Sequence, residues 1–163
     1  MPIVQATIIE GYDDATKARL LQGMTRVVLS VMAAKPEAVI ALLNEVKPSA
    51  YARGGVSRVP GPPLPPAVEV VQAYVGALAS GSDQSARALL SEQAYFIDGR
   101  GEARDPLSLL ASLGRWDYTD FDEALTDDGS VVYARGAQGR DSVERFHIRG
   151  GRIVSIQSWG SRS

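Results

Sequence analysis

Met1-Pro-Ile-Val-Gln-Ala-Thr-Ile-Ile-Glu-Gly-Tyr12 opens the chain, and its reading decides how the first module folds. Ile3 to Ile9 is β-rich and partly alternating, with Gln5 and Thr7 set against Val4, Ala6 and Ile8, which predicts a strand. Gly11-Tyr12-Asp13-Asp14 then supplies a turn and a helix N-cap with acidic groups suited to the helix dipole. From Ala15 to about Ala33, Leu20, Met24, Val27, Val28 and Val31 recur at spacings of three and four, one face of an amphipathic helix. Pro36-Glu37 closes the connection, and Ala38 to Val46 reads as a second strand. Strand, helix and strand make a βαβ unit, so the two strands should run parallel with a right-handed crossover. Ala50 to Gly55 looks like a small closing hairpin. So short a unit buries little surface alone and should associate with copies of itself.

The 163 residues are 45% hydrophobic and carry a net charge of −2, which predicts packed domains and argues against a nucleic-acid footprint. No apolar run is long enough to span a bilayer and no signal segment is evident, so a cytoplasmic protein with no membrane partner is expected. There is no cysteine and only one histidine, His147, so thiol chemistry is excluded and no metal site is expected. Val59-Pro-Gly-Pro-Pro-Leu-Pro-Pro66 is a stiff, extended linker. It divides the chain into residues 1–58, the linker 59–66, and a second module, 67–163.

In the second module, 67–82 reads as a helix with Val70, Val71, Tyr74, Val75 and Leu78 on one face. Ser85 to Leu90 suggests a shorter helix, and Ala94 to Ile97 a strand. Asp105-Pro106 should open a helix that stops at Gly114. A meander of strands follows, roughly Trp116–Leu125, Val131–Ala137, Ser142–Arg149 and Arg152–Trp159, with turns at Asp128-Gly129 and Gly150-Gly151. Helices followed by a curved antiparallel sheet give an α+β module behind the α/β one.

Pro2 carries the most specific chemistry. Loss of Met1 would expose a secondary amine on a rigid ring; an α-amino group titrates near ~7.7–8.0 and desolvation or a nearby cation lowers it toward the range where a general base works best.

The Pro-Ile-Val-Gln opening, Ile9-Glu10-Gly11, the helix length and the Tyr-x-x-Gly-Gly ending at Gly55 together make residues 2–55 resemble the 4-oxalocrotonate tautomerase family. The resemblance implies βαβ protomers that form hexamers or similar homo-oligomers, a cofactor-free reaction on a small-molecule substrate, and Pro2 as the proton-shuttling base. It implies that Tyr51 walls the pocket. Two family arginines that hold substrate carboxylates are absent, their places taken by Tyr12 and Ile40. Arg53 is either a replacement cation or an ordinary exposed charge. Without two charge-assisted contacts of about 1.5–3 kcal/mol each, a dicarboxylate is a poor candidate, and a larger, more neutral, enolisable substrate is expected.

Val-Gln-Ala-Tyr-Val-Gly-Ala-Leu at the start of the second module and Phe-His-Ile-Arg-Gly-Gly-Arg-Ile-Val near its end resemble the SnoaL-like branch of the nuclear-transport-factor-2-like superfamily, over about residues 67–160. This cone-shaped scaffold hosts cyclases, isomerases, dehydratases and pure binding modules. Asp98, His147 and Tyr133 are the residues with catalytic potential there. Asp98 serves as a base if apolar walls raise its pKa, or Asp98-Gly99 is simply a turn. His147 shares a strand face with Val143 and Arg145 and is either an inward-pointing catalytic group or a hydrogen-bonded structural histidine. Tyr95, Tyr133 and Trp159 read as core or pocket wall. Three functions follow: a tautomerase acting through Pro2, with Tyr12, Ile40, Tyr51 and Arg53 around it; a polyketide-cyclase-like enzyme acting through the cone; or a binding protein that captures a hydrophobic ligand.

Overall fold

A computed structural model describes residues 1–109, 118–136 and 142–160. The chain divides into two compact units, Met1–Pro63 and Leu64–Ser163.

In the first unit, β1 (Ile3–Ile9) and β2 (Ile40–Val46) lie parallel, Ile3 facing Ile40 and Ile9 facing Val46. Helix α1 (Asp14–Val31) joins them. It starts where Asp13 accepts a hydrogen bond from the Thr16 amide at 2.7 Å, which satisfies one of the orphan donors of the first turn. A 3-10 turn at Pro36–Ala38 takes Ala38, the first residue expected of β2, and Val39 caps it. After a further 3-10 turn at Pro48–Ala50 come β3 (Ala52–Arg53) and β4 (Val56–Ser57), an antiparallel hairpin. Gly11 has φ +135°, and a Cβ there would stand 2.8 Å from Pro60 Cγ, so both the turn and the returning chain require glycine.

The apolar stripe of α1 is wider than two strands can cover. Val28 is buried, whereas Val27 and Val31 remain 58% and 74% exposed. On the sheet, Ile3 and Leu42 are also exposed.

The second unit packs α2 (Ala67–Ala79) and α3 (Asp83–Ala88) with a six-stranded sheet. Its strands are β5 (Leu90–Ile97), β6 (Ala103–Arg104), β7 (Tyr118–Leu125), β8 (Ser130–Gly136), β9 (Ser142–Arg149) and β10 (Arg152–Gly160). The order is β6-β5-β10-β9-β8-β7. The sheet is mixed rather than wholly antiparallel, because the last strand returns to lie parallel beside β5. Residue 90 opens a strand and not a helix end; α3 stops at Ala88, with Leu89 as its C-cap. Past the Asp105 cap the structure shows a 3-10 turn at Pro106–Ser108; the rest of the expected helix to Gly114, and Trp116, lie outside the described residues.

Gly150 and Gly151 both have positive φ, 59° and 75°, which closes the two-residue β9–β10 hairpin. The core lies between α2 and one sheet face. Val71, Tyr74, Phe96, Val132, Phe146, Ile153 and Ile156 are fully enclosed there. The Tyr74 and Phe146 rings meet edge to face at 6.3 Å. Burial, with the Asp105 charge added, pushes the Tyr74 phenol's pKa up, and its hydroxyl donates to the Pro106 carbonyl at 2.5 Å.

Candidate functional site

In the first unit, Pro2 sits half-buried immediately before β1. Its carbonyl accepts a hydrogen bond from the Ile40 amide at 3.0 Å, so the ring is tied to the neighbouring strand rather than carried on a loose tail. Met1 is 87% exposed. While Met1 is attached the proline nitrogen is an amide; its removal leaves a basic amine at the same anchored position.

The parallel register brings Pro2 and Ile40 together and separates them from the other expected residues. Tyr12 follows the far end of β1, where the Glu10 amide bonds the Val46 carbonyl at 2.9 Å. Seven strand residues span about 20 Å at ~3.3 Å per residue. Tyr51 and Arg53, both exposed, come after the far end of β2, in the 3-10 turn's cap and the β3–β4 hairpin. In chain order, Tyr12, Tyr51 and Arg53 thus follow the strand ends opposite Pro2.

In the second unit, register decides which residues line the buried face. On β9 the buried residues are Glu144, Phe146 and Ile148; Val143, Arg145 and His147 take the other side. On β10 the pairing with β9 shifts between Ile153 and Ser155, after which Ile156 faces Phe146 and Ser158 faces Glu144. The buried face thus carries a carboxylate that alternation alone could have found: the apolar pair Phe146 and Ile148 fixes the even positions as inward, and Glu144 shares their parity.

Glu144 has no exposed surface. It accepts a hydrogen bond from Ser158 Oγ at 3.0 Å and another, short, from the Tyr118 hydroxyl. Such a carboxylate survives burial only with directed donors of this kind.

Asp98 and His147 follow the structural alternatives open to them, a turn and a hydrogen-bonded histidine, and the core placement expected of three aromatic residues is corrected. Asp98 is enclosed but serves as a turn carboxylate. It accepts hydrogen bonds from the Glu102 amide at 3.0 Å and the Arg100 amide at 2.9 Å, and pairs with Arg104 Nε at 3.1 Å. Those amide bonds, aided by Arg104, outweigh desolvation and hold its pKa below the ordinary carboxylate value, the opposite of what a base raised by apolar walls needs. His147 faces outward, where its Nε2 lies 3.0 Å from Asp128 Oδ1 in the turn between β7 and β8. Burial of Asp128 disfavours its charged form, but the contacts with His147 prevail, with help from Thr126 and Arg149, and lower its pKa. Tyr133, Tyr95 and Trp159 are 37%, 52% and 44% exposed, so none is core; Tyr133 pairs with Arg145 in the β8–β9 register.

Among the described residues no cluster of three or more metal-ligating side chains occurs, and no helix is long and apolar enough to cross a membrane.

Residues 2–59 match the family model of tautomerase enzymes. The matched segment begins at Pro2 and spans the β1-α1-β2 unit with its closing hairpin. Solved structures similar to the chain overlie about three fifths of it. One is an NTF2-like protein of unknown function in nutrient uptake from Rhodospirillum rubrum ATCC 11170 (17% identity, 60% of this chain and 100% of that one, TM-score 0.46). A second is an NTF2-like protein from Burkholderia xenovorans LB400 (16%, 58% and 88%, TM-score 0.42). A third, from Xanthomonas campestris pv. campestris, is provisionally named a polyketide cyclase (20%, 58% and 90%, TM-score 0.39). No curated protein matches the chain.

Proposed function

We propose that the protein is a cofactor-independent tautomerase in which Pro2, freed of Met1, is the general base. The observation that carries this reading is the half-buried Pro2 anchored through its carbonyl to Ile40 at 3.0 Å, in a module that matches the tautomerase family. The amine takes a proton from the carbon next to a carbonyl and returns it at the oxygen or at another carbon, so no redox partner is required. Ile3 and Ile40 beside it are apolar, and an aliphatic wall favours a neutral enolisable substrate over a dicarboxylate.

Association completes the site in this reading. Tyr12, Tyr51 and Arg53 stand at the far strand ends, and the exposed stripe of Val27 and Val31 offers a surface for a second copy. A neighbouring protomer then brings its distal residues to the Pro2 of the first. Hexameric or dimer-based assembly both satisfy this.

Glu144 favours a second reading, in which the cone does the chemistry. A wholly enclosed carboxylate held by a phenol and a serine hydroxyl is a group suited to moving a proton in a cyclisation or to seating a hydroxylated ligand. Two variants separate the readings. With a panel of enolisable ketones, Pro2→Ala should abolish turnover and Glu144→Gln should leave it within a few-fold. The reverse pattern would reject the Pro2 mechanism and place the chemistry in the cone.

A further inference from the structure

The ladder between β5 and β10 is interrupted. Leu90 pairs with Ile153 and the next pair is Tyr95 with Ser155, five steps along β5 against two along β10. The intervening residues interrupt the ladder, and β6 pairs only with Phe96 and Ile97, so among the described residues Ser91 to Ala94 have no register partner in either neighbouring strand. Bulges of this kind re-aim side chains and recur beside binding sites.

This stretch forms one wall of an open depression of about 500 Å³ at the sheet edge. That volume lies within the range of small-molecule sites, roughly 300–1,000 Å³. Leu90, Ala94 and Pro106 supply apolar surface. Of the lining cations, Arg104 is engaged by Asp98 and Glu102, and Arg87 lies 3.5 Å from Asp105. Arg152 differs. One guanidinium nitrogen donates to the Leu90 carbonyl at 3.2 Å, which orients the group, and among the described residues it has no carboxylate partner. Glu92, on the same stretch, likewise has no cationic partner among the described residues. A cation and an anion therefore line one apolar-floored depression without pairing.

We infer that this depression binds a small zwitterion, an α-amino acid or short peptide, whose carboxylate meets Arg152 and whose ammonium meets Glu92. The apolar side chain then lies on Leu90, Ala94 and Pro106. A simple anion would be opposed by Glu92 and a simple cation by Arg152, whereas a ligand carrying both charges satisfies each. Every residue lining the depression belongs to the second unit.

The test is titration of the full-length ¹⁵N-labelled protein with L-leucine, with the dipeptide Gly-Leu, and with N-acetyl-leucinamide, which has the same side chain and neither charge. Saturable shifts should centre on Glu92, Ala94 and Arg152 for leucine or the dipeptide, whichever binds tighter naming the source. The blocked compound should bind at least about tenfold more weakly, as should Arg152→Gln and Glu92→Gln with leucine. Pro2→Ala should bind unchanged. Absence of saturation by both charged ligands up to about 20 mM, or equal binding of the blocked compound, overturns the inference whatever the variants do.

Discussion

Asp98 and Glu144 show how two carboxylates in one module acquire different work from their donors. Asp98 accepts backbone amides and Arg104, and its depressed pKa ties stability to pH. Its folded value lies below the ordinary ~3.9, so its contribution is complete above that pH and is lost as pH falls through the folded value. Asp98→Asn should therefore lower the melting temperature by a few degrees at pH 7, and the gap to the parent should close below about pH 4; thermal melts across pH 3–8 would show it. Glu144 instead accepts two hydroxyls in a closed setting. Glu144→Leu removes the acceptor of the buried Ser158 hydroxyl, at about 1–3 kcal/mol, and ends the Tyr118 contact, while Glu144→Gln keeps an acceptor and should cost less. Urea unfolding of the two variants would rank them. Neither role was legible from residue type alone. Asp98-Gly99 reads as either a turn or a base, and the sequence leaves the facing of His147 open although Phe146 and Ile148 mark the even positions of β9 as inward.

The elements themselves were largely written in local pattern. β1, α1 and the Gly150-Gly151 hairpin follow from alternation, a three-to-four spacing, an Asp cap and paired glycines, all signals that act within a few residues. What local pattern could not supply was pairing at a distance. The parallel seat of β10 beside β5 and the break in the ladder at Ser91 to Ala94 depend on packing across sixty residues of sequence. Glycines test the element scale. A Cβ at Gly129 would stand 2.1 Å from the Ile148 carbonyl oxygen, so Gly129→Ala must push the β7–β8 turn off β9 and should cost about 2 kcal/mol or more. Gly76 lies in α2 with nothing within 4 Å of its would-be Cβ, so Gly76→Ala should stabilise by about 0.5–1 kcal/mol. Opposite shifts in urea midpoint are expected.

At the scale of the whole molecule, the first unit has too little of its own surface enclosed to be self-sufficient. Val28 is its one buried hydrophobic residue, and Ile3, Val27, Val31 and Leu42 remain open. Association should follow, and Val27→Glu with Val31→Glu should shift the native mass to a smaller species and lower turnover together; a fully active monomer would contradict the shared site. The central claim is that an anchored proline amine does the chemistry, and pH-dependent labelling of the N-terminus tests it most directly. Intact mass first establishes that Met1 has been removed, and a small electrophile is then titrated against pH with the adduct mapped to its peptide. The account predicts selective labelling at Pro2 with an apparent pKa well below ~7.7. Retained Met1, or a proline that labels no faster than an ordinary amine, would contradict it.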